Sequence, residues 1–493
     1  MNSSQHTIRK QIVQFQYNGN VDGFALQKEV SDWCNHSLIP EIEQQLDLFD
    51  LGDKYYIIDK LEIEASINKN DWQQKIRDEL LFSLKLKLND YIPKLKEVAS
   101  DKSVSKSRKL DELILYYFEN GYLPWWGKAL ITVDFETLLQ NWINEEMSQS
   151  RADFISKRLQ QTTSEILTKR ILNQVPQKLL FQLLKNIFKQ EIENIEHTES
   201  FYKEVITNNI SDAKQKVINK TVYGFLLNMM FQNEGTINTD LMVRFIYEEV
   251  NKNKASAKIG ELKKKQSEDK KHKQSVNEKE SVKELNQDEK EIAEIDKKEN
   301  KLQYNKLIDK LTNPDSAKKD KNELESELRD GIFIDNAGAV IFAAFIPTLF
   351  KKLALAKDGG VIVNPDLAAL IIQYCVTGST KIDEYELVLP KILSGLDIDF
   401  PVNTNAEIAA HQMNEVNEML QSLIEYWSVL KNTSVEGLRE SFLMRSGKLS
   451  MINNEWLLQV EQKPFDMLLQ QLPWSISMIK LPWMTHLLRT EWV

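Results

Sequence analysis

The sequence predicts a mainly α-helical protein with small β elements, an α+β chain whose two folded regions are joined by a charged linker. Three observations predict it. Glycine and proline are scarce, 16 and 12 among 493 residues, and this glycine share is about half the usual ~7%. Apolar residues recur at spacings of three and four over most of the length, while alternation is confined to short stretches. From about Asn251 to Asp330 aromatic residues nearly vanish, Tyr304 alone remaining, and Lys and Glu dominate. Such a stretch buries too little apolar surface to offset its ordering entropy, so it reads as disordered or as a solvated helix.

The elements follow in order. Gln11 to Tyr17 alternates from Val13 onward, and Tyr56 to Glu64 alternates from Ile58 onward; both read as strands with one buried face. Between them Phe24, Leu26, Val30, Trp33 and Leu38 suit a short helix ended by Pro40. Ile76, Leu80, Leu81, Leu84 and Leu88 form one helical stripe. Residues 1–100 therefore read as a β-helix-β-helix region. Residues 101–250 read as a helical region, with several amphipathic helices from Phe135 to Glu249. Residues 251–330 are the linker. It carries a faint heptad, Leu285, Ile292, Ile295 and Leu302, broken by Asp288, Glu299 and Lys306. As one helix, Asn251 to Lys310 spans roughly 90 Å. Residues 331–493 form a Trp-rich domain. Its clearest helix carries Met413, Val416, Leu420, Leu423, Trp427 and Leu430; Trp456–Glu461 and Leu487–Trp492 read as strands paired in one sheet.

The charge and motif content excludes several functions. The formal net charge is −10, a poor footprint for a nucleic-acid binder, which needs positive charge to release counterions. The longest apolar run, Ala337–Ile346, is too short to span a membrane and is followed by Pro347. No signal peptide opens the chain, so a soluble cytoplasmic protein is expected. Cys34 and Cys375 form no metal or disulfide pattern, and no two of the six histidines stand at metal-ligand spacing. His36 follows Cys34 by two positions, which on a helix do not face each other, and His411 with Glu415 reads as a surface pair. Gly121 to Lys128 has one residue too many for a phosphate loop, and Ala129 stands where a Mg²⁺-binding hydroxyl belongs. No catalytic motif, metal or cofactor is expected.

Tryptophan is the informative residue. Five of the ten lie in the last 67 positions: Trp427, Trp456, Trp474, Trp483 and Trp492. Pro473-Trp474 and Pro482-Trp483 each follow a leucine, and Leu123-Pro124-Trp125-Trp126 repeats the theme in the other half. Proline fixes φ, so each Leu-Pro-Trp punctuates an element. Two readings stand: indoles packed over their turns, or an aromatic docking patch for protein partners. Arg439, Arg445 and Arg489 lie in the same region and suit ring stacking or carboxylate pairing.

These residues resemble the tape measure proteins of contractile injection systems, the phage-tail-like particles. The matching stretches include His6-Thr7-Ile8, Ile58–Ile63 and Gly121-Tyr122-Leu123-Pro124-Trp125-Trp126. Asn336–Phe350, Gly378, Glu384–Leu387 and Leu389–Gly395 follow, with Ser394 where the family usually has Cys. Trp427, Leu430–Ser434, Gly437–Leu443, Arg445–Leu449, Asp466, Leu472-Pro473-Trp474, Leu481–Met484 and Glu491-Trp492 complete the series. The resemblance implies structural work without catalysis: setting or licensing tail-tube length, with tube, baseplate or cap proteins as partners and self-association open. It places the chain in the cytoplasm during assembly, or within the tube. The alternative is an assembly chaperone or adaptor that binds tube, baseplate or cargo proteins through the Trp-rich end.

Overall fold

The computed structural model describes most of residues 22–48, 72–97, 103–251 and 328–492, with scattered positions between 8 and 65. The Lys/Glu-rich stretch, apart from its ends, lies outside the described residues. Two compact units divide the chain: Met1–Ile114 with Leu123–Thr132, and Leu115–Tyr122 with Val133–Val493. That division does not fall at the composition shifts near 250 and 330. It falls around residues 114–133, so the helical region beyond Val133 and the Trp-rich region share one unit.

The first unit begins with helices α1 (Gly23–Trp33) and α2 (Ile39–Asp47), joined by a π-helical turn at Cys34–Leu38. The helix expected to stop before Pro40 continues through it. Ile39 donates its N–H to the Cys34 carbonyl, and Pro40 then stands in the first turn of α2, where a missing donor costs little. Val30, Trp33, Cys34 and Leu38 are buried against Leu26, Ile42, Ile76 and Leu80. The last two belong to α3 (Trp72–Glu97), which carries the expected stripe and buries Leu84 and Leu88. Strand β1 is Lys54–Tyr56, antiparallel to β2 (Ser103–Ser105). The strand expected from Ile58 is thus shifted toward the N-terminus. Leu61 and Ile63 are half-buried between exposed Lys60, Glu62 and Glu64, but the described residues there join no ladder. Alternation specifies a face; a strand also needs a partner. Of the strand expected at Val13–Tyr17, positions 13, 14 and 16 have no regular structure and the rest lie outside the described residues.

Helix α4 (Lys106–Asn120) runs across the division between units. In the second unit follow α5 (Phe135–Asn144), α6 (Gln149–Gln161), α7 (Glu165–Gln174), α8 (Gln177–Ile187), α9 (Ile192–Thr207), α10 (Asp212–Gln232) and α11 (residues 239–251). Asp134, Ser148 and Ser164 cap α5, α6 and α7 by accepting N–H bonds from Thr137, Arg151 and Leu167. Helix α8 buries Leu180, Phe181, Leu183, Leu184 and Ile187 as one apolar face and packs on α5, α6 and α9.

The apolar run Ala337–Phe345 is a buried 3₁₀ helix leading into α12 (Ile346–Lys352). A small hairpin, β4 (Ala356–Lys357) and β5 (Val361–Ile362), precedes α13 (Pro365–Thr377) and α14 (Val388–Leu393). Helix α15 (Ala410–Tyr426) carries the predicted seam, with Val416, Leu420 and Leu423 buried. It ends before Trp427, and Leu430 falls in a separate 3₁₀ turn. A single turn, α16 (Val435–Leu438), and a π-helical turn precede the sheet. That sheet joins β3 (Ile332–Ile334), β6 (Gly447–Ile452), β7 (Glu455–Val460), β9 (Leu488–Glu491) and β8 (Met478–Ile479), in that order. Strands β7 and β9 pair as neighbours, as expected, and parallel, with Trp456 opposite Leu488. Asn453 and Asn454, at φ 50° and 65°, make the two-residue turn between β6 and β7. Ile332, Ile334, Leu449, Trp456, Leu458, Val460, Leu488 and Ile479 cover the buried face.

Candidate functional site

The second unit is held by a buried charge cluster that composition and motifs did not reveal. Arg170 comes from α7, Glu384 from the 3₁₀ turn Glu384–Leu387, and Lys391 from α14; all three side chains are fully buried. Arg170 donates from Nε to both Glu384 oxygens, at 3.1 and 3.3 Å, and from Nη1 to the Phe118 carbonyl at 2.6 Å. Its Nη2 donates to the Asp399 carbonyl. Lys391 donates to Glu384 Oε1 at 2.9 Å and to the Ile398 carbonyl at 3.0 Å. Gln174, one turn after Arg170, donates to Glu384 Oε2 at 3.2 Å and to the Val402 carbonyl at 3.1 Å. Two cations thus share one carboxylate, and carbonyl oxygens take the donors left over, which a buried charge requires. Burial, together with the Arg170 charge, pushes the Lys391 ammonium below its ordinary value against the pull of Glu384. Burial, then Glu384, raises the Tyr117 phenol well above its own.

Gly121 closes the cluster. Its φ is +75°, and a Cβ there would stand 2.7 Å from Arg170 Nη2 and from Glu384 Oε1. A side chain is excluded twice, by backbone conformation and by space. Residues 214 positions apart are thereby fastened across the undescribed stretch.

Of the C-terminal tryptophans, Trp427, Trp474, Trp483 and Trp492 turn inward and are fixed by their N–H groups. Trp427 is buried and donates to the Leu468 carbonyl at 3.3 Å. Half-buried Trp474 donates to the Ile341 carbonyl at 2.8 Å, and half-buried Trp483 to the Leu393 carbonyl at 2.7 Å. Trp483 stacks on Phe350 at 5.3 Å. Gly395, at φ +73°, lies so close that a Cβ would clash with the Trp483 carbonyl oxygen. Pro473 and Pro482 are exposed. Each Leu-Pro-Trp therefore sends its indole back onto an element some 90 to 133 positions earlier.

A second charge cluster fastens the C-terminal end. Arg445, fully buried, pairs with Asp466, and its guanidinium lies 5.1 Å from the Phe465 ring and 5.4 Å from the Trp492 ring. Trp492 donates to Asp466 Oδ2 at 3.0 Å, and the Lys463 N–H does so at 2.8 Å. Arg439 stands apart. It donates to the Cys375 carbonyl at 3.2 Å and to Asn417 Oδ1 at 3.0 Å, and lies 5.6 Å from the Tyr374 ring.

The motif Leu123-Pro124-Trp125-Trp126 belongs to the first unit. Pro124 is buried, Leu123 and Trp126 are half-buried, and Trp125 is exposed. Lys109 Nζ lies 3.8 Å from the centre of the Trp126 ring while pairing with Glu112 at 2.9 Å. The structure thus groups Trp427, Trp474, Trp483, Trp492 and Arg445 around one core and leaves Arg439 beside α13. Sequence reasoning missed Arg170, Lys391 and the role of Glu384. The available signals were Gly121, a glycine in a chain poor in them, and the stretches Glu384–Leu387 and Leu389–Gly395, which carry two of the three charges.

Among the described residues no group of His, Cys, Asp and Glu is arranged to hold a metal ion, and no helix is long and apolar enough to cross a membrane. A family model described as contractile injection system tape measure protein matches residues 5–492. The chain belongs to that family. No curated protein and no solved structure matches it significantly. The tape measure family match spans both compact units and the stretch between residues 252 and 327.

Proposed function

We propose that this tape measure family member is a non-enzymatic assembly protein that licenses tube building as a folded body, docking tube, baseplate or cap proteins in the cytoplasm. The observation that carries the reading is the Arg170–Glu384–Lys391 cluster. A ruler of two anchors and a spacer needs its anchors to separate. Here residues 133–251 and 328–492, on either side of the stretch 252–327, belong to one unit, and a fully buried charge cluster fastens them. Drawing the two regions apart gives up these bonds and the edge-on packing of Phe135 against Tyr385. A folded body that recognises partners fits this better than a chain drawn out along the tube. The same protein, in several copies or one, then acts at initiation or capping.

Deleting or doubling residues 252–327 in the producing cells, with particle lengths read by electron microscopy, tests the proposal. Unchanged lengths are expected. Lengths that track the number of residues inserted or removed would overturn it and restore the ruler.

A further inference from the structure

One surface of the second unit combines partly exposed aromatic rings with exposed carboxylates. Helix α15 ends at Tyr426, which is 68% exposed. The Tyr426 ring lies 6.4 Å from that of Phe345, and Phe345 meets Trp474 edge-on at 5.0 Å. Trp474 is held in place by its bond to the Ile341 carbonyl, so the three rings are contiguous and the innermost is fixed. Val429, 37% exposed, continues the apolar surface beyond Tyr426. The polar side of the same helix carries exposed Glu418 and Glu425, two turns apart. Lys352 pairs with Glu415 at 3.0 Å and also feels the Glu418 charge; Glu425 has no ion-pair partner among the described residues. The last turn of α15 contains no basic residue, so its carbonyl end adds negative potential beside Tyr426. Aromatic faces, carboxylates and a helix C-terminus all attract the same thing.

We propose that this platform, Tyr426 with Phe345 and Trp474, together with Glu418 and Glu425 on the adjoining polar face of the helix, docks a lysine or arginine side chain carried on an apolar surface of a protein partner. The proposal rests on the docking reading above and names the chemistry of the partner. Charge complementarity selects this occupant: an acidic partner is repelled by the two carboxylates, and a purely apolar one leaves them unused.

The test uses the full chain and a labelled peptide of alternating lysine and leucine, with a glutamate–leucine peptide as comparison, read by fluorescence polarisation. The lysine peptide is expected to bind and the glutamate peptide not. Tyr426→Ala is expected to weaken binding about tenfold. Glu418→Gln with Glu425→Gln should weaken it about fivefold and flatten its salt dependence. Glu196→Gln, exposed on α9, should change nothing. All the altered side chains are exposed, and unchanged thermal melting confirms folding. Equal binding of both peptides, or lysine-peptide binding indifferent to Tyr426→Ala and to the glutamine pair, overturns the proposal. A concentration-dependent dimer abolished by Tyr426→Ala overturns it too, because a second copy is then the occupant. Electron microscopy of particles from Tyr426→Ala cells separates the two readings. Normal assembly with charge-dependent peptide binding supports the cation site and removes the assembly role. Failed assembly with binding indifferent to the glutamine pair does the reverse.

Discussion

Two buried charge clusters in the second unit meet the same desolvation problem by different means, the second only in part, since Arg445 Nε and Nη1 are buried without a hydrogen-bond partner among the described residues. Around Glu384, two cations share one carboxylate, and four backbone carbonyls, of Phe118, Asp399, Ile398 and Val402, take the remaining cation and Gln174 donors. Around Asp466 a single cation, Arg445, lies between the rings of Phe465 and Trp492. The first joins segments more than 200 positions apart, whereas the second joins segments 21 to 26 positions apart. The difference teaches what each is for. Hydrogen bonds to carbonyls fix position and direction, so the first cluster aligns two separately threaded regions. Ring stacking tolerates rotation, so the second closes a terminal strand onto a neighbouring turn.

That comparison is broken most strongly at Glu384. Glu384→Gln leaves Arg170 and Lys391 buried together without a counter-charge. A loss of about 3–5 kcal/mol is expected, read as a lower urea midpoint. Gly121→Ala should act on the same cluster, and the two changes should be strongly non-additive in a double-mutant cycle. Simple additivity would show that Gly121 and Glu384 belong to different structures.

Asp466→Asn is the matching change in the second cluster. The asparagine still accepts from Trp492, and both rings still cover the Arg445 guanidinium. A smaller loss, about 2–3 kcal/mol, is expected by chemical denaturation. A loss equal to that of Glu384→Gln would show that the rings contribute little.

Trp483→Phe and Trp474→Phe remove one N–H each and keep most of the ring packing. Each should cost about 1–2 kcal/mol, because the Leu393 or Ile341 carbonyl loses its donor. Loss of folding would place these rings in the essential core; no change would show that water replaces the donor.

The smallest effect is alkaline. Burial lifts the Cys375 thiol to about 12 from its ordinary 9.0, and burial lifts the Tyr223 phenol to about 12 from 10.0. The folded chain therefore keeps protons that the unfolded chain releases above pH 9 to 10. This stabilisation is complete below pH 9 and is lost as pH rises toward 12. From pH 7 to 10 the thiol's share of the loss is about 1 kcal/mol. Thermal midpoints should hold from pH 7 to 9 and then fall, and Cys375→Ala should shallow the fall without abolishing it. A midpoint rising through that range would contradict the sign.

How much of this was legible depends on the range of the interaction. The α3 stripe from Ile76 to Leu88, the seam from Val416 to Leu423 and the strands at Trp456 and Leu488 were legible because side-chain periodicity encodes them locally. The Tyr56–Glu64 alternation predicts a strand, yet the ladder lies at Lys54–Tyr56, since pairing depends on Ser103–Ser105 and not on the face alone. Pro40 predicts a stop because a π-helical turn leaves no mark in composition. The Leu-Pro-Trp turns were legible as punctuation, but nothing in them said that Trp474 and Trp483 point inward while Trp125 is exposed.

The sequence by itself determined the helical class, the apolar stripes, the main C-terminal strands and, through its ordered motifs, the tape measure family. Only the tertiary structure decided that Arg170, Glu384 and Lys391 meet, that Gly121 must lack a side chain, and that the helical and Trp-rich regions form one unit. The physical reason is locality. Hydrophobic periodicity is written within a few turns of chain, whereas a charge says nothing about its partner until folding brings distant segments together in a medium where an unpaired charge is too costly to leave.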